Sequence, residues 1–283
     1  MTQIKPGRLN QLKILKINDT GAFLDGGEAG EILLPAKWIP EQAAIGTEIE
    51  VFIYHDNLDR LIATTMKPLV MLGEFAMLKA AAVNQVGAFM DWGLEKDLLV
   101  PYREQSVKMT EGQEYLVYVF ADPATGRLAG STKLEKYLST EKPAYLSGEE
   151  ADLIIWKKTD LGYKAIINGC HEGLLYADEV FTDLKRGDKI RGYIDMVRED
   201  GKIDLRLLKT GHEKIDDLAG HLLRALEKHH GFMALNDHSP AEEIYRRLGM
   251  SKKNFKKAVG KLYKQRLIDI EERGIRLLGL MDA

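Results

Sequence analysis

Along the first sixty residues, apolar positions recur among polar ones in short runs. Leu9, Leu12, Ile14 and Ile17 form the first run, and a turn at Asp19-Thr20-Gly21 ends it. A run of this kind between turn residues predicts a half-buried strand. Further strands are expected at 22–25, after which Gly26-Gly27 turns the chain, and at 31–34, before an irregular stretch around Trp38. Residues 48–54 alternate again with Ile49, Val51 and Ile53 on one face, and the polar turn His55-Asp56-Asn57 leads into a last strand at 60–64.

The same pattern returns twice. Gly7, Gly21, Pro35, Gly46 and Ala63 are spaced like Gly73, Gly87, Pro101, Gly112 and Ala129, and like Gly148, Gly162, Tyr176, Gly187 and Asp204. The text repeats too: Gly21-Ala-Phe-Leu-Asp25 parallels Gly87-Ala-Phe-Met-Asp91, and Gly30-Glu-Ile-Leu-Leu-Pro35 parallels Lys96-Asp-Leu-Leu-Val-Pro101. Such self-similarity identifies repeated structural units. Five short strands in each unit predict a mainly β chain of three tandem five-stranded barrels of the OB-fold type, over residues 1–66, 67–142 and 143–211. In the third copy Lys164 replaces Phe23 and Phe89, Tyr176 replaces the prolines, and Arg198-Glu199-Asp200-Gly201 supplies an Asp-Gly hairpin turn.

From residue 212 the period changes. Leu218, Leu222, Leu223 and Leu226 predict an amphipathic helix ended by His229-His230-Gly231. Ser239-Pro240-Ala-Glu242 has the form of a capping box opening a second helix that stops at Gly249. Ser251 caps a third, with Phe255, Val259 and Leu262 on its apolar face, and strands are expected at 267–270 and 275–278 around Glu271-Glu272-Arg273-Gly274. Three helices and a hairpin over 212–283 predict an α+β winged helix-turn-helix.

Charge sharpens this division. The net charge is -3. The three barrel segments carry fewer basic than acidic residues, whereas 212–283 has 14 basic against 11 acidic. Between Ile244 and Ile268 there are nine Lys or Arg and no acid. On the third helix, Lys253, Lys256, Lys257, Lys261 and Lys264 share a face, with Lys252 at its start. Two readings fit that face, phosphate contact and plain solvation. One cysteine, Cys170, makes no internal disulfide and no zinc cluster, which fits a cytoplasmic protein. Neither a secretory signal nor a membrane span is expected.

The repeats resemble S1-type RNA-binding domains: Gly-Ala-Phe after the first strand, Gly/Glu-x-Leu-Leu, then Gly-Asp/Thr-x-Ile before the fourth strand. Three such units followed by a winged helix resemble the bacterial conserved virulence factor B family along the whole chain. The resemblance implies a non-catalytic RNA-binding regulator of gene expression with no cofactor. The chain departs from the S1 pattern where an aromatic and a histidine are common, holding Thr20, Val86 and Leu161, and Pro35, Pro101 and Tyr176.

OB barrels bind single strands by stacking bases on rings while cations follow the backbone. Phe23, Phe89 and Trp92 are the candidate rings of the first two repeats; burial in the barrel core is the competing reading of the two phenylalanines. The third repeat offers Lys164, Tyr176, Arg206, Lys189 and Arg191, a ring with cations. It is the favoured barrel, acting with Lys252, Lys253, Lys256, Lys257 and Lys261 of the basic domain. Trp38, Trp156, Phe52, Tyr118 and Tyr193 are read as packing or domain-contact residues. Cys170-His171-Glu172 resembles a catalytic set, but strand neighbours face apart, so a buried cysteine and a surface histidine are expected. No metal-binding or phosphate-loop motif is present. Single-stranded RNA is the expected partner. The rival readings are a winged-helix regulator of duplex DNA, with Asn254 and Gln265 reading bases, and a protein-interaction scaffold.

Overall fold

The structure, a computed structural model, describes residues 3–180, 183–207 and 212–278, without the side chains of Asp178 and of 212–217. The chain forms two compact units, one ending at Tyr137 and the other starting at Leu138. The first unit holds two five-stranded sheets. One comprises β1 (Leu9–Asn18), β2 (Gly21–Asp25), β3 (Glu31–Pro35), β4 (Glu48–His55) and β5 (Leu61–Thr64). The other comprises β6 (Phe75–Val83), β7 (Gly87–Asp91), β8 (Leu98–Pro101), β9 (Glu114–Ala121) and β10 (Leu128–Ser131). The second unit repeats the motif with β11 (Glu150–Thr159), β12 (Gly162–Ile167), β13 (His171–Tyr176), β14 (Lys189–Val197) and β15 (Ile203–Arg206). The first and third sheets are closed barrels with the strand order 1-2-3-5-4 within the repeat. In the second, β10 and β8 form the two edges, so this barrel is nearly closed.

Closure depends on the first strand of each repeat. Leu9 to Lys13 pair with β4, then a bulge between Ile14 and Lys16 turns the strand so that its second half pairs with β2. The bulge recurs between Ala80 and Ala82 and between Ile155 and Lys157. One extra residue bends a strand and adds twist, which lets one strand serve two neighbours around a tight barrel. The repeated glycines secure this corner. The N–H of Gly46, Gly112 and Gly187 donates to the carbonyl of Ile14, Ala80 and Ile155, at 2.8, 2.8 and 2.7 Å. At Gly21, Gly87 and Gly162 the backbone of the third strand passes so near that a Cβ would lie 2.1, 2.3 and 2.0 Å from the carbonyl oxygens of Leu34, Val100 and Leu175.

Alternation then sorts the side chains. Ala22, Leu24, Ile32, Leu34, Val51 and Ile53 fill the first barrel, while Phe23 and Leu33 between them face outward. On β4 both faces are buried, because Phe52 and Tyr54 pack on the second barrel, where the Phe52 and Trp92 rings meet edge-on at 5.7 Å. Trp92, a candidate for base stacking on sequence, is therefore a core residue only 2% exposed, with its indole N–H donating to the Lys96 carbonyl at 2.6 Å. Trp156 is buried and Trp38 half-buried against the first core, as expected of packing residues. Tyr118 stacks on Tyr137 at 4.1 Å.

The C-terminal region comprises α1 (His212–Lys228), β16 (Phe232–Met233), α2 (Ala241–Leu248), α3 (Lys252–Lys264), β17 (Ile268–Glu271) and β18 (Gly274–Leu277). Leu218, Leu222, Leu226, Ile244, Phe255, Val259 and Leu262 build its core. Ser251 caps α3 by accepting from the Asn254 N–H, and Gly249 ends α2 with φ 66°. Two details differ from the sequence reading. Pro240 rather than Ser239 stands at the α2 N-cap, because the Ser239 hydroxyl accepts from the Asn236 N–H at 2.9 Å instead. A third strand, β16, joins β18; at two residues it is too short to show a period. The boundary expected between the third barrel and the winged helix, at 211–212, falls partly outside the described residues. Among the described residues no helix is long and apolar enough to cross a membrane.

A buried carboxylate ties the second sheet together. Glu104 accepts from the Ser131 hydroxyl at 2.7 Å and from the Lys136 ammonium at 3.2 Å. Burial pushes its pKa up, but the Ser131 and Lys136 hydrogen bonds and the nearby lysine charges outweigh that and hold it below the usual glutamate value. A lowered pKa in the folded state stabilises above the ordinary glutamate value and ceases to do so as pH falls through the folded value. Glu104→Gln is expected to flatten the acid side of the stability–pH curve and to leave a smaller change between neutral and acid pH, as measured by urea unfolding across pH. The glycine corner gives a second expectation. Gly162→Ala should cost about 2 kcal/mol or more, the scale of forced backbone strain. Gly260→Ala, at an open helical position, should stabilise by roughly 0.5–1 kcal/mol. Thermal and urea denaturation followed by circular dichroism checks both.

Candidate nucleic-acid interface

The outward face of each repeat's second and third strands presents one central residue: Phe23, Phe89 or Lys164. All three are half-buried outside the barrel core. Their surroundings differ through the residue opposite on the first strand. In the first barrel Lys16 pairs with Phe23, and its ammonium lies 4.5 Å above the ring centroid while bonding Glu31 at 2.6 Å. The ring is thus already covered by a cation that is itself neutralised. In the second barrel Ala82 takes the place of Lys16 opposite Phe89.

Phe89 lines a cleft of about 730 Å³ together with Val86, Leu99, Tyr102, Arg103 and Arg127. The β4–β5 turn of the first barrel supplies His55 and Asn57 to its wall. The Lys96 ammonium reaches this turn, donating to the carbonyls of His55 and Asp56 at 2.9 Å each. Burial and the Arg127 charge lower the Lys96 pKa; burial and Asp91 raise that of Asp97. Arg127 pairs with Asp59 of the same turn, and Arg103 pairs with Asp122 at 2.6 Å.

The third barrel has a cleft of about 660 Å³ at the same place in the repeat. Leu161, Lys164, Leu174, Tyr176 and Lys202 stand there where Val86, Phe89, Leu99, Pro101 and Arg127 stand in the second. Lys164 sits 2.6 Å from Glu172 and 5.7 Å from the centroid of Trp156, the bulge residue of β11, while Lys157 stands opposite it as Lys16 stands opposite Phe23. The Tyr176 hydroxyl accepts from Arg198 and donates to Asp204 at 3.4 Å; Arg198 also holds Asp204 at 2.8 Å. Arg198, Lys202, Tyr102, Arg103 and Arg127 were missed on sequence. The repeat register was the available signal, since it aligns Lys202 with Arg127 at the tip of the last hairpin.

Of the five residues expected to act in the third barrel, only Lys164 and Tyr176 come together. Lys189 and Arg191 lie on β14 along its seam with β11, outside the cleft. There Arg191 is engaged by Glu150 at 2.6 Å and Asp152 at 2.9 Å, which raises its pKa further. Arg206 requires correction as a contact residue. Its side chain is only 8% exposed, Asp195 takes Nη1 at 3.0 Å, and Nε is buried without a partner. The expected buried Cys170 is also corrected. It is exposed in the turn between β12 and β13 rather than on a strand, while His171 bonds the Tyr145 hydroxyl through Nδ1 at 3.1 Å.

On α3, Phe255, Ala258, Val259 and Leu262 face the core, leaving Lys253, Lys256, Lys257 and Lys264 exposed. Lys256 lies 3.5 Å from Asp237. Lys252 turns back to donate to the Ser239 carbonyl at 2.9 Å, and Lys261 is half-buried, so these two are less available than expected. Asn254, the residue best suited to read a base edge, is buried. Among the described residues no group of three or more His, Cys, Asp or Glu could hold a metal ion.

Residues 6–66 match the family model of the S1 domain, and residues 220–277 match that of the CvfB-like winged helix domain. The chain is 29% identical over 271 residues to the uncharacterized protein YitL of Bacillus subtilis, covering 92% of this chain and 90% of that protein. It is 24% identical over 280 residues to conserved virulence factor B of Staphylococcus saprophyticus, covering 96% of this chain and 94% of the relative. The Staphylococcus aureus protein of that name is 25% identical over a similar span. A crystal structure from Streptococcus pneumoniae, described as a multidomain protein with nucleic acid binding domains, is 24% identical with a TM-score of 0.41 and covers 96% of this chain and 98% of that one. The matched domains are nucleic-acid-binding modules, neither of them from an enzymatic family. The chain thus holds an S1 domain near its start and a CvfB-like winged helix near its end, and it is similar to conserved virulence factor B along nearly its full length.

Proposed function

We propose that this protein binds single-stranded RNA without chemical change to it and acts in the cytoplasm in post-transcriptional regulation. One observation carries the reading: the third barrel's cleft sets the Tyr176 ring beside Lys164, Arg198 and Lys202. Rings and cations in a concave groove suit unpaired bases and their backbone, whereas a duplex keeps its bases stacked away from such a groove. The exposed lysines of α3 supply point charges for phosphates, and burial of Asn254 takes the best base-reading side chain out of groove contact. In this reading the winged helix adds affinity, the third barrel engages bases, and the remaining lysines of the original set, Lys252 and Lys261, support the helix rather than the ligand.

The test is equilibrium binding of labelled single-stranded RNA, single-stranded DNA and duplex DNA to the full chain at several salt concentrations. Single-stranded RNA should bind most tightly. Tyr176→Ala should weaken it by about 1–3 kcal/mol, the worth of one base stack. Replacing Lys253, Lys256 and Lys257 by Ala should weaken binding and reduce the log–log salt slope by about 2, as expected for three lost phosphate contacts on a single strand. Preference for duplex DNA, or a triple variant that binds like the unaltered chain, would overturn the reading.

A further inference from the structure

We propose that the segment 139–145 is a strap that closes part of the third barrel's cleft and is displaced by the strand that binds there. The inference rests on the third-barrel reading above and adds the regulation of that site. Three observations carry it. The first is chain length. Ala63 and Gly73 are ten residues apart, whereas their counterparts Ala129 and Gly148 are nineteen apart. The other intervals of the repeat are equal, so the added residues enter just before the third barrel. The shorter connection is held close to the first barrel: the Thr65 hydroxyl donates to the Trp38 carbonyl at 2.8 Å, and the Met66 N–H donates to the Thr64 hydroxyl at 3.1 Å. The longer one brings Ser139, Thr140 and Glu141 to the wall of the cleft of about 660 Å³, together with His171, Glu172 and Tyr176.

The second observation is the mounting of this segment. The Ser139 N–H donates to the Cys170 carbonyl at 2.7 Å, in the turn between β12 and β13. At the far end the Tyr145 ring packs on the barrel core and meets the His171 ring edge-on at 5.3 Å, with its hydroxyl 3.1 Å from Nδ1. Ser139 is thus the latch and Tyr145 the pivot. Between them Thr140, Glu141, Lys142 and Ala144 are exposed. A segment with so little buried surface opens locally at far lower cost than the barrel unfolds. The third observation is charge. Lys164, Arg198 and Lys202 already hold Glu172, Asp204 and Asp200, at 2.6, 2.8 and 2.9 Å. Glu141 brings a further carboxylate to the same cleft, and among the described residues it is in no ion pair. With the strap latched, an incoming phosphate meets both this negative charge and the strap itself. Unlatching removes both. A strand therefore binds the open form, and its apparent affinity is reduced by the fraction of molecules that is open.

The experiment uses the full chain and a fluorescein-labelled oligouridylate of about twelve nucleotides, within the span of one OB fold. Binding is followed by fluorescence anisotropy. Ser139→Pro, which removes the latching N–H, should tighten binding by about fivefold, as for a cleft that is open in roughly a fifth of the molecules. Glu141→Gln keeps the latch and removes only the charge, and should tighten binding by about threefold, the scale of one exposed charge pair. Circular dichroism verifies that each variant folds. Amide hydrogen exchange read by mass spectrometry supplies what a fixed wall would not give. Strand binding should speed exchange in the peptide that contains Ser139, whereas a wall merely covered by the strand is slowed. A Glu141→Gln protein that binds no tighter, a folded Ser139→Pro protein that binds no tighter, or slowed exchange of the strap on binding would overturn the proposal. The two readings fail separately. If neither the unaltered chain nor Ser139→Pro binds, the third-barrel reading falls and the strap with it. If the unaltered chain binds, Tyr176→Ala weakens it and the strap variants leave it unchanged, the strap alone falls.

Discussion

The bulge in the first strand of each repeat is the constraint from which the barrels follow. One strand must pair with β4 over its first half and with β2 over its second, and only a local bend lets it do both within a five-stranded ring. The glycine N–H that bonds the carbonyl at the bend fixes where the bulge falls. Because the side-chain period of a strand is two, that placement also decides which residues point inward. Ala22 and Leu24 enter the core and Phe23 is left outside, and the same holds for Ala88, Met90 and Phe89. The candidate face is thus a geometric consequence of barrel closure, presented identically by three copies whatever side chain occupies it.

What the face can do is then settled by its neighbours. In the first barrel a lysine opposite the ring covers it. In the second an alanine stands at that position and a cleft results, with a wall borrowed from the barrel before it. In the third, Lys164 takes the middle of the face opposite Lys157, and the ring beside it is buried Trp156 of the bulge. Most cations around the clefts are already paired with carboxylates, among them Lys164 with Glu172, Arg198 with Asp204 and Arg103 with Asp122. The cations of these pairs are 38–70% exposed on their side chains, although the carboxylates of Asp204 and Asp122 are largely buried. The pairs keep the barrel surface close to neutral while leaving the cations available to a more highly charged ligand.

The architecture was legible because glycine and hydrophobic spacing report backbone geometry directly. The fixed intervals from Gly7 to Gly21 to Pro35 correspond to a real repeat of bulge, close approach and turn. The winged helix was legible because Leu218, Leu222 and Leu226 keep a helical period and Ser251 caps α3. The site was less legible, since contact partners come from distant positions. Nothing local to Arg206 shows that β15 is buried along its whole length or that Asp195 sits 3.0 Å away. Likewise Trp92 carries no mark of the neighbouring barrel's Phe52, and Cys170 falls in a turn where strand alternation does not apply. Arg127 and Lys202 could have been found together by carrying the repeat register across, whereas Arg103 aligns with Asp178 and has no such signal.

Charge and stacking are divided between different parts of the chain, and the division has a physical logic. Each barrel segment is net acidic, so long-range attraction for a polyanion cannot originate there; the basic stretch from Ile244 to Ile268 is where it can. Attraction by exposed lysines is sequence-independent and weakens with salt. Stacking in a half-apolar cleft acts over contact distance and changes far less with salt, because its strength comes from ring overlap rather than counterion release. In the proposed function the basic domain would thus capture a strand and the barrel cleft would hold its bases, the two joined by the chain itself at raised effective concentration. A net acidic barrel surface also opposes unspecific adhesion of the strand outside the clefts. In the proposed function, the acids that neutralise Lys164 and Arg198 would favour ligands that bring a base as well as a phosphate.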